Sequence, residues 1–161
     1  MNPVIARASK ADAEEILVLQ RLAYESEARA YGDWSLPPMK QTIEELHEEL
    51  EDSLVLKATV EGRLVGSVRA RPAEGTCQIG RLMVHPDFQG RGMGSALLQA
   101  IEAEFPDAAK YELFTGSKSD ATIGLYERHG YVITRSERQS EAVMLVYLEK
   151  PGRMAETPPE W

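Results

Sequence analysis

The sequence predicts a single α/β domain, a mixed and mostly antiparallel sheet flanked by helices. Three observations predict it. Short β-rich runs separated by tight turn residues occupy residues 54–84. Two capped segments with helical apolar spacing precede them. A strand running into a glycine-rich loop and then a helix follows at residues 79–104. At 161 residues the chain fits one domain and is long enough to bury a sizeable core. With 43% hydrophobic and 27% charged residues it reads as an ordinary globular protein.

In chain order, Val4 to Ala8 reads as a short strand. Ser9 with Asp12 resembles a helix N-cap, and the helix that follows places Ile16, Leu19 and Ala23 on one face before Gly32, Pro37 and Pro38 end it. Thr42 with Glu45 forms a capping box for a second helix whose apolar stripe is Ile43, Leu46 and Leu50. Its remaining surface is crowded with glutamates, which read as a solvated face. Residues 54–60 and 64–70 form a hairpin about Glu61-Gly62, and Ala73-Glu74-Gly75 turns the chain into a strand over 76–84. Residues 92–104 are helical and 111–115 a strand. A helix carrying Ile123 and Tyr126 stops at Gly130, and strands over 131–134 and 142–148 close the sheet. The domain spans 1–150; the polar, proline-containing residues 151–161 read as a loose tail.

The most informative stretch is Ile79 to Ala100. An apolar strand ends at His85-Pro86, and Gln89-Gly90-Arg91-Gly92-Met93-Gly94-Ser95 leads into a helix. Alternate glycines remove the Cβ atoms that keep a ligand from the backbone. The unpaired N–H groups and dipole of a helix start favour an anion such as phosphate. The dinucleotide fingerprint fails on spacing, because the loop is G-x-G-x-G, and the nucleotide-hydrolase loop fails because no Gly-Lys pair occurs.

The loop does match Q-x-x-G-x-G, through Gln89, Gly92 and Gly94, and so resembles the signature of the GNAT superfamily of N-acetyltransferases. The preceding Leu82-Met83-Val84-His85-Pro86 is similar to that family as well. So is Leu125-Tyr126-Glu127-Arg128-His129-Gly130-Tyr131, which resembles its aliphatic-Tyr-x-x-x-Gly-aromatic segment. The resemblance covers Val4 to Leu148 and implies a sheet splayed in the middle. It implies transfer of acetyl from acetyl-CoA to an amine of a small molecule or peptide by direct attack, with coenzyme A as product.

By carry-over, backbone groups of Leu82, Met83 and Val84 hold the pantetheine arm as an added strand. The loop from Gln89 through Gly90, Arg91, Gly92, Met93 and Gly94 to Ser95 holds the pyrophosphate. Tyr126 is the expected general acid. At Ser119 many members carry Asn in contact with the coenzyme; Ser keeps a donor and an acceptor but is shorter. The resemblance names no base, and Glu112 and His85 read as structural or solvated. The first two helices and their connection wall the acceptor side in this family, here Tyr24 to Pro38, where aromatics beside carboxylates make Glu27, Tyr31 and Asp33 candidates for holding a cationic amine. The alternative is a catalytically inactive acyl-CoA-binding sensor or partner subunit that shares the fold.

A net charge of −8 argues against nucleic acid and anionic membrane as partners. The lone cysteine, Cys77, allows no internal disulfide and reads as a buried thiol. No secretory signal or bilayer-spanning run is present, so a cytoplasmic monomer or homodimer without a metal is expected.

Overall fold

The computed structural model describes residues 2–152. Its seven strands are β1 (Val4–Arg7), β2 (Leu54–Val60), β3 (Arg63–Ala73), β4 (Thr76–Val84), β5 (Lys110–Gly116), β6 (Val132–Arg138) and β7 (Met144–Pro151). The helices are α1 (Ala13–Tyr31), a single turn α2 (Pro37–Lys40), α3 (Ile43–Asp52), α4 (Met93–Ala103) and α5 (Asp120–Arg128). The strands form one sheet in the order β1-β2-β3-β4-β5-β7-β6. All pairs are antiparallel except β4 with β5, which is parallel.

Local chemistry accounts for the boundaries. Thr42 Oγ1 accepts from Glu45 N at 3.2 Å while Glu45 Oε1 accepts from Thr42 N at 2.9 Å, the reciprocal box the sequence predicts for α3. Helix α1 runs to Tyr31, where Gly32 adopts φ 61° and donates its N–H back to Ala28 and Arg29. Pro37 and Pro38 do not merely break structure; they start α2, where a proline's missing N–H costs nothing. Strand β7 continues past Leu148 to Pro151, and Gly152 N donates to Ala109 O. The rest of the expected tail, 153–161, lies outside the described residues.

Helices cover both faces of the sheet. On one, Leu97, Leu98 and Ile101 of α4 are fully buried against Val65, Val68, Cys77 and Leu113. On the other, Ile16, Leu17 and Leu19 of α1 and Leu46 of α3 pack on Val55, Leu64 and Met83. Burial pushes the Cys77 thiol up to about 12, as suits a core thiol. No helix among the described residues is long and apolar enough to cross a membrane.

Strand β4 changes face partway along. Cys77 and Ile79 point into the α4 side, so strict alternation would send Met83 there too. Met83 instead packs under α1, and Leu82 and Val84 pack against the α4 side. The inversion needs one extra residue. Arg81 has φ 50°, and the β3 register slips between Ser67 and Arg69 opposite it, which is a β-bulge. Strand β4 parts from β5 just before the bulge: their register covers only Thr76↔Lys110, Cys77↔Tyr111 and Gln78↔Glu112. The sheet is therefore splayed in the middle.

Gly116, the last residue of β5, sits where α1 presses on this opening. A Cβ built there would lie 2.2 Å from the hydroxyl of Tyr31, itself buried. Gly116→Ala is expected to lower stability by about 1–3 kcal/mol through overpacking, read as a drop in thermal midpoint. An unchanged midpoint would show that α1 is not held against β5 at this point.

Candidate functional site

The splay opens into a groove of about 1500 Å³ that runs between the two halves of the sheet. Its floor is the part of β4 that β5 does not pair with, including Leu82, Met83 and Val84. At one end β4 passes through a short turn to the glycine loop and the first turn of α4. The side-chain amide of Gln89 reaches back to Val84 O at 3.4 Å, which ties the loop to the strand end.

The three loop glycines have different duties. Gly90 and Gly92 have φ 76° and 80°, and a Cβ built on either meets nothing within 4 Å. The space before them is open, and a side chain would fill it. Gly94 lies inside α4, where a Cβ would come 3.2 Å from Leu125 Cδ2; this glycine lets α4 and α5 approach. Met93 is buried in the core. Ser95 Oγ is 2.9 Å from His129 Nε2. The Arg91 guanidinium lies over the Phe88 ring, 5.3 Å from its centroid, and does not line the groove.

Tyr126 projects from α5 into the groove wall with 5% of its surface exposed. Its ring packs on Tyr131, with centroids 5.9 Å apart. Burial raises its phenol well above the ordinary value, and the nearby Tyr24 and Glu27 add to the effect. The phenol therefore holds its proton firmly on the groove wall.

Helix α1 forms the opposing wall and grips the β5–α5 turn at two points. Lys118 N donates to the Tyr31 hydroxyl at 2.8 Å, and Ser119 Oγ donates to Glu27 Oε1 at 2.8 Å. Ser119 stands at the N-cap of α5, yet its hydroxyl is spent on Glu27 rather than on the helix. Two residues read from sequence as serving different ligands are thus bonded to each other. Tyr31 is a buried strut whose hydroxyl holds a loop. Asp33 differs most from expectation: it does not line the groove. Its exposed carboxylate accepts from Ser35 N at 2.9 Å, and bonds from Ser35, with a further one from Ser140, hold it below the usual carboxylate range.

Tyr24, at the start of the segment read from sequence as the acceptor side, lines the groove beside Glu27, and burial raises its phenol too. Sequence reasoning missed two contributors. Glu45, Glu48 and Asp52 of the acidic α3 run are exposed, as the sequence suggests, at the groove's rim; Glu49 is half-buried and paired with Arg69. Arg81 places a half-buried guanidinium here, its charge disfavoured chiefly by desolvation. The two residues read as structural or solvated lie at different places: Glu112 lines the groove and His85 stands in the turn after β4. His85 Nδ1 accepts from Asp87 N, and Glu112 lies 4.0 Å from Arg135. Among the described residues no group of three or more acidic, histidine or cysteine side chains is placed to hold a metal.

Coenzyme A fits these residues. A strand edge free of its neighbour opens onto a helix N-terminus, and the space before Gly90 and Gly92 is one that a Cβ would fill.

Comparison with known proteins gives a consistent result. The chain is similar to protein YqkA of Bacillus subtilis, a UPF0157 protein, at 28% identity over 145 residues, covering 89% of this chain and 42% of that one. It is 36% identical over 83 residues to an acetyltransferase of Pectobacterium atrosepticum, covering 50% of this chain and 59% of that one. The chain thus spans about half the length of the curated relatives it matches. The fold is shared with the ribosomal-protein-S18-alanine N-acetyltransferase of Escherichia coli at a TM-score of 0.80 and 18% identity, over 99% of this chain and 100% of that one. It is shared with the PaiA N-acetyltransferase of Thermoplasma acidophilum in complex with coenzyme A at 0.78 and 19% identity, over 94% and 99%. A family model described as the acetyltransferase (GNAT) family matches residues 17–131, and the chain belongs to that family.

Proposed function

We propose that this chain is an acetyl-CoA-dependent N-acetyltransferase acting on an amine of a small molecule or peptide. One observation carries the reading: the edge of β4 that β5 leaves unpaired, the glycine loop and the protonated Tyr126 all border one groove. Acetyl-CoA, when bound, supplies an acetyl group activated as a thioester.

The chain's own part begins with binding. Backbone groups of Leu82, Met83 and Val84 offer an extended arm the ladder that β5 does not provide. Space is open before Gly90 and Gly92 at the head of α4, where the free N–H groups and dipole of a helix start favour phosphate, and the loop to Ser95 would hold the pyrophosphate there. Local donors matter because a net charge of −8 opposes any polyanion at long range. The tyrosine is matched to acid duty. Burial keeps the proton on Tyr126 Oη at neutral pH, and that proton is available to a leaving group in the groove. Across the groove, Glu27 offers a carboxylate to an incoming amine, held in place by Ser119 and flanked by Tyr24. An amine with a pKa near ~10.4 arrives mostly as an ammonium, for which a fixed carboxylate is the natural first partner.

Tyr126→Phe removes one hydroxyl and keeps the ring on Tyr131. Coenzyme A is expected to stabilise this variant thermally as it does the parent, while single-turnover transfer slows by ~10–10³-fold. Turnover within twofold of the parent, as an approximate threshold, would remove Tyr126 from the acid role. Stabilisation by coenzyme A with no transfer to any amine in a broad panel would instead favour an acyl-CoA sensor.

The acceptor side separates two carboxylates. Glu27→Ala is expected to raise the KM for a cationic amine by about tenfold with little change in that for acetyl-CoA, as loss of a charged partner implies. Asp33→Ala, which removes a loop cap outside the groove, should leave both constants near the parent. Equal effects from the two substitutions would contradict this division.

A further inference from the structure

Arg81 is placed at a disadvantage twice over. Its φ of 50° suits glycine, and any side chain there strains the backbone. Its guanidinium is half-buried, and its Nε is shielded and bonded to nothing among the described residues. Glu49 lies within its electrostatic reach but is bonded to Arg69 instead. A charge taken partly out of water without a partner is costly, and a residue kept under both burdens points to a ligand.

The guanidinium lies on the α1 side of the sheet. Its electrostatic neighbours are Tyr24 of α1, Glu49 of α3 and Arg69 of β3, and all four residues line the groove. Tyr24 stands one turn before Glu27 on the same face of α1, and its phenol feels the charge of both Glu27 and Arg81. Glu27 is tied to the other half of the sheet: Ser119, at the head of the helix that carries Tyr126, donates to it at 2.8 Å. The groove therefore holds two charges of opposite sign, a carboxylate fastened to the α5 half and a guanidinium on the β3–β4 half. Tyr24 is in reach of both.

That pair of charges selects among amines. A plain alkylammonium meets Arg81 as a like charge. An amine bearing a phosphate brings net negative charge past the exposed Glu45, Glu48 and Asp52, in a chain that already carries −8. A zwitterion suffers neither repulsion, and a carboxylate matches the planar fork of a guanidinium. We infer that the acceptor is an amine that itself carries a carboxylate, with Arg81 receiving the carboxylate and Glu27 the ammonium. The inference rests on the transfer reaction proposed above and narrows its acceptor to compounds of the amino-acid class.

A panel of α- and ω-amino acids, each set against the amine that lacks its carboxylate, tests this on the full chain. In the parent, kcat/KM for the best amino acid is expected to exceed that for its decarboxylated partner by about tenfold or more. Arg81→Gln should erase that preference, a loss of ~10–10²-fold carried mainly by KM, as for a hydrogen bond to a charged group. Arg81→Gly accepts φ 50° freely and should lose the same preference while coenzyme A still raises its thermal midpoint. Arg81→Lys keeps the charge without the fork and should recover part of the preference. Calorimetry with the same pairs on protein saturated with coenzyme A makes the test independent of turnover. An amino acid that binds the parent and not Arg81→Gln supports the inference even where no acetyl is transferred, a result that would remove only the transferase reading. No preference for the carboxylate in the parent, equal losses for both members of a pair in Arg81→Gln and Arg81→Gly, or no binding of any amino acid each overturns it.

Discussion

The structure turns on one extra residue in β4. Arg81 stands at φ 50°, a conformation that costs a non-glycine residue roughly 1–2 kcal/mol. Its guanidinium is half-buried, with no hydrogen-bond partner for Nε. A residue strained in its backbone and poorly solvated in its side chain survives because its surroundings over-determine it, and such residues cluster at functional sites. Two consequences follow from it. Met83 turns under α1 and α3, and Leu82 and Val84 turn towards α4, just beyond the point where β4 leaves β5 after Gln78. Without the bulge, the strand would continue alternating as it began and Met83 would face α4.

A gap in a sheet exposes backbone donors and acceptors that elsewhere are paired. The rest of the chain is arranged about them. Helix α4, rooted in the core by Leu97, Leu98 and Ile101, fixes its N-terminus at one end of the gap. Helix α5 sets Tyr126 partway along, and Gly94 lets the two helices approach closely enough for both to border the same groove. From the other side α1 is bonded to the β5–α5 turn through Tyr31 and Glu27. Under the proposed function that coupling joins the wall proposed to meet the acceptor to the turn before the helix that carries Tyr126.

Much of this was legible in the sequence. The order of elements followed from periodicity and caps, as at Thr42 and Glu45, because those signals are local. The glycine loop and the segment around Tyr126 were legible because each motif is contiguous. What escaped was non-local. Gly94 reads like Gly90 and Gly92 in one dimension, and only the approach of Leu125 distinguishes it. Asp33 reads like Glu27 in one dimension, and only its place outside the groove, bonded to Ser35 and Ser140, sets it apart. The pairing of Glu49 with Arg69 joins a helix to a strand and leaves no local signal. The bulge itself left no trace in the apolar pattern: Cys77, Ile79 and Met83 keep the same parity, so an apolar count alone implies an unbroken strand.

The account's central claim is that the free edge of β4 and the loop before α4 together receive the coenzyme. Amide hydrogen exchange with and without coenzyme A tests it most directly, because it reads those backbone groups themselves. The account predicts added protection at Leu82 to Val84 and at Gly90 to Ser95. It predicts no change in β6, which lies at the far edge of the sheet. Thermal stabilisation by coenzyme A with exchange at residues 82–84 unchanged would contradict it, since the ligand would then be held without using the edge that β5 leaves unpaired.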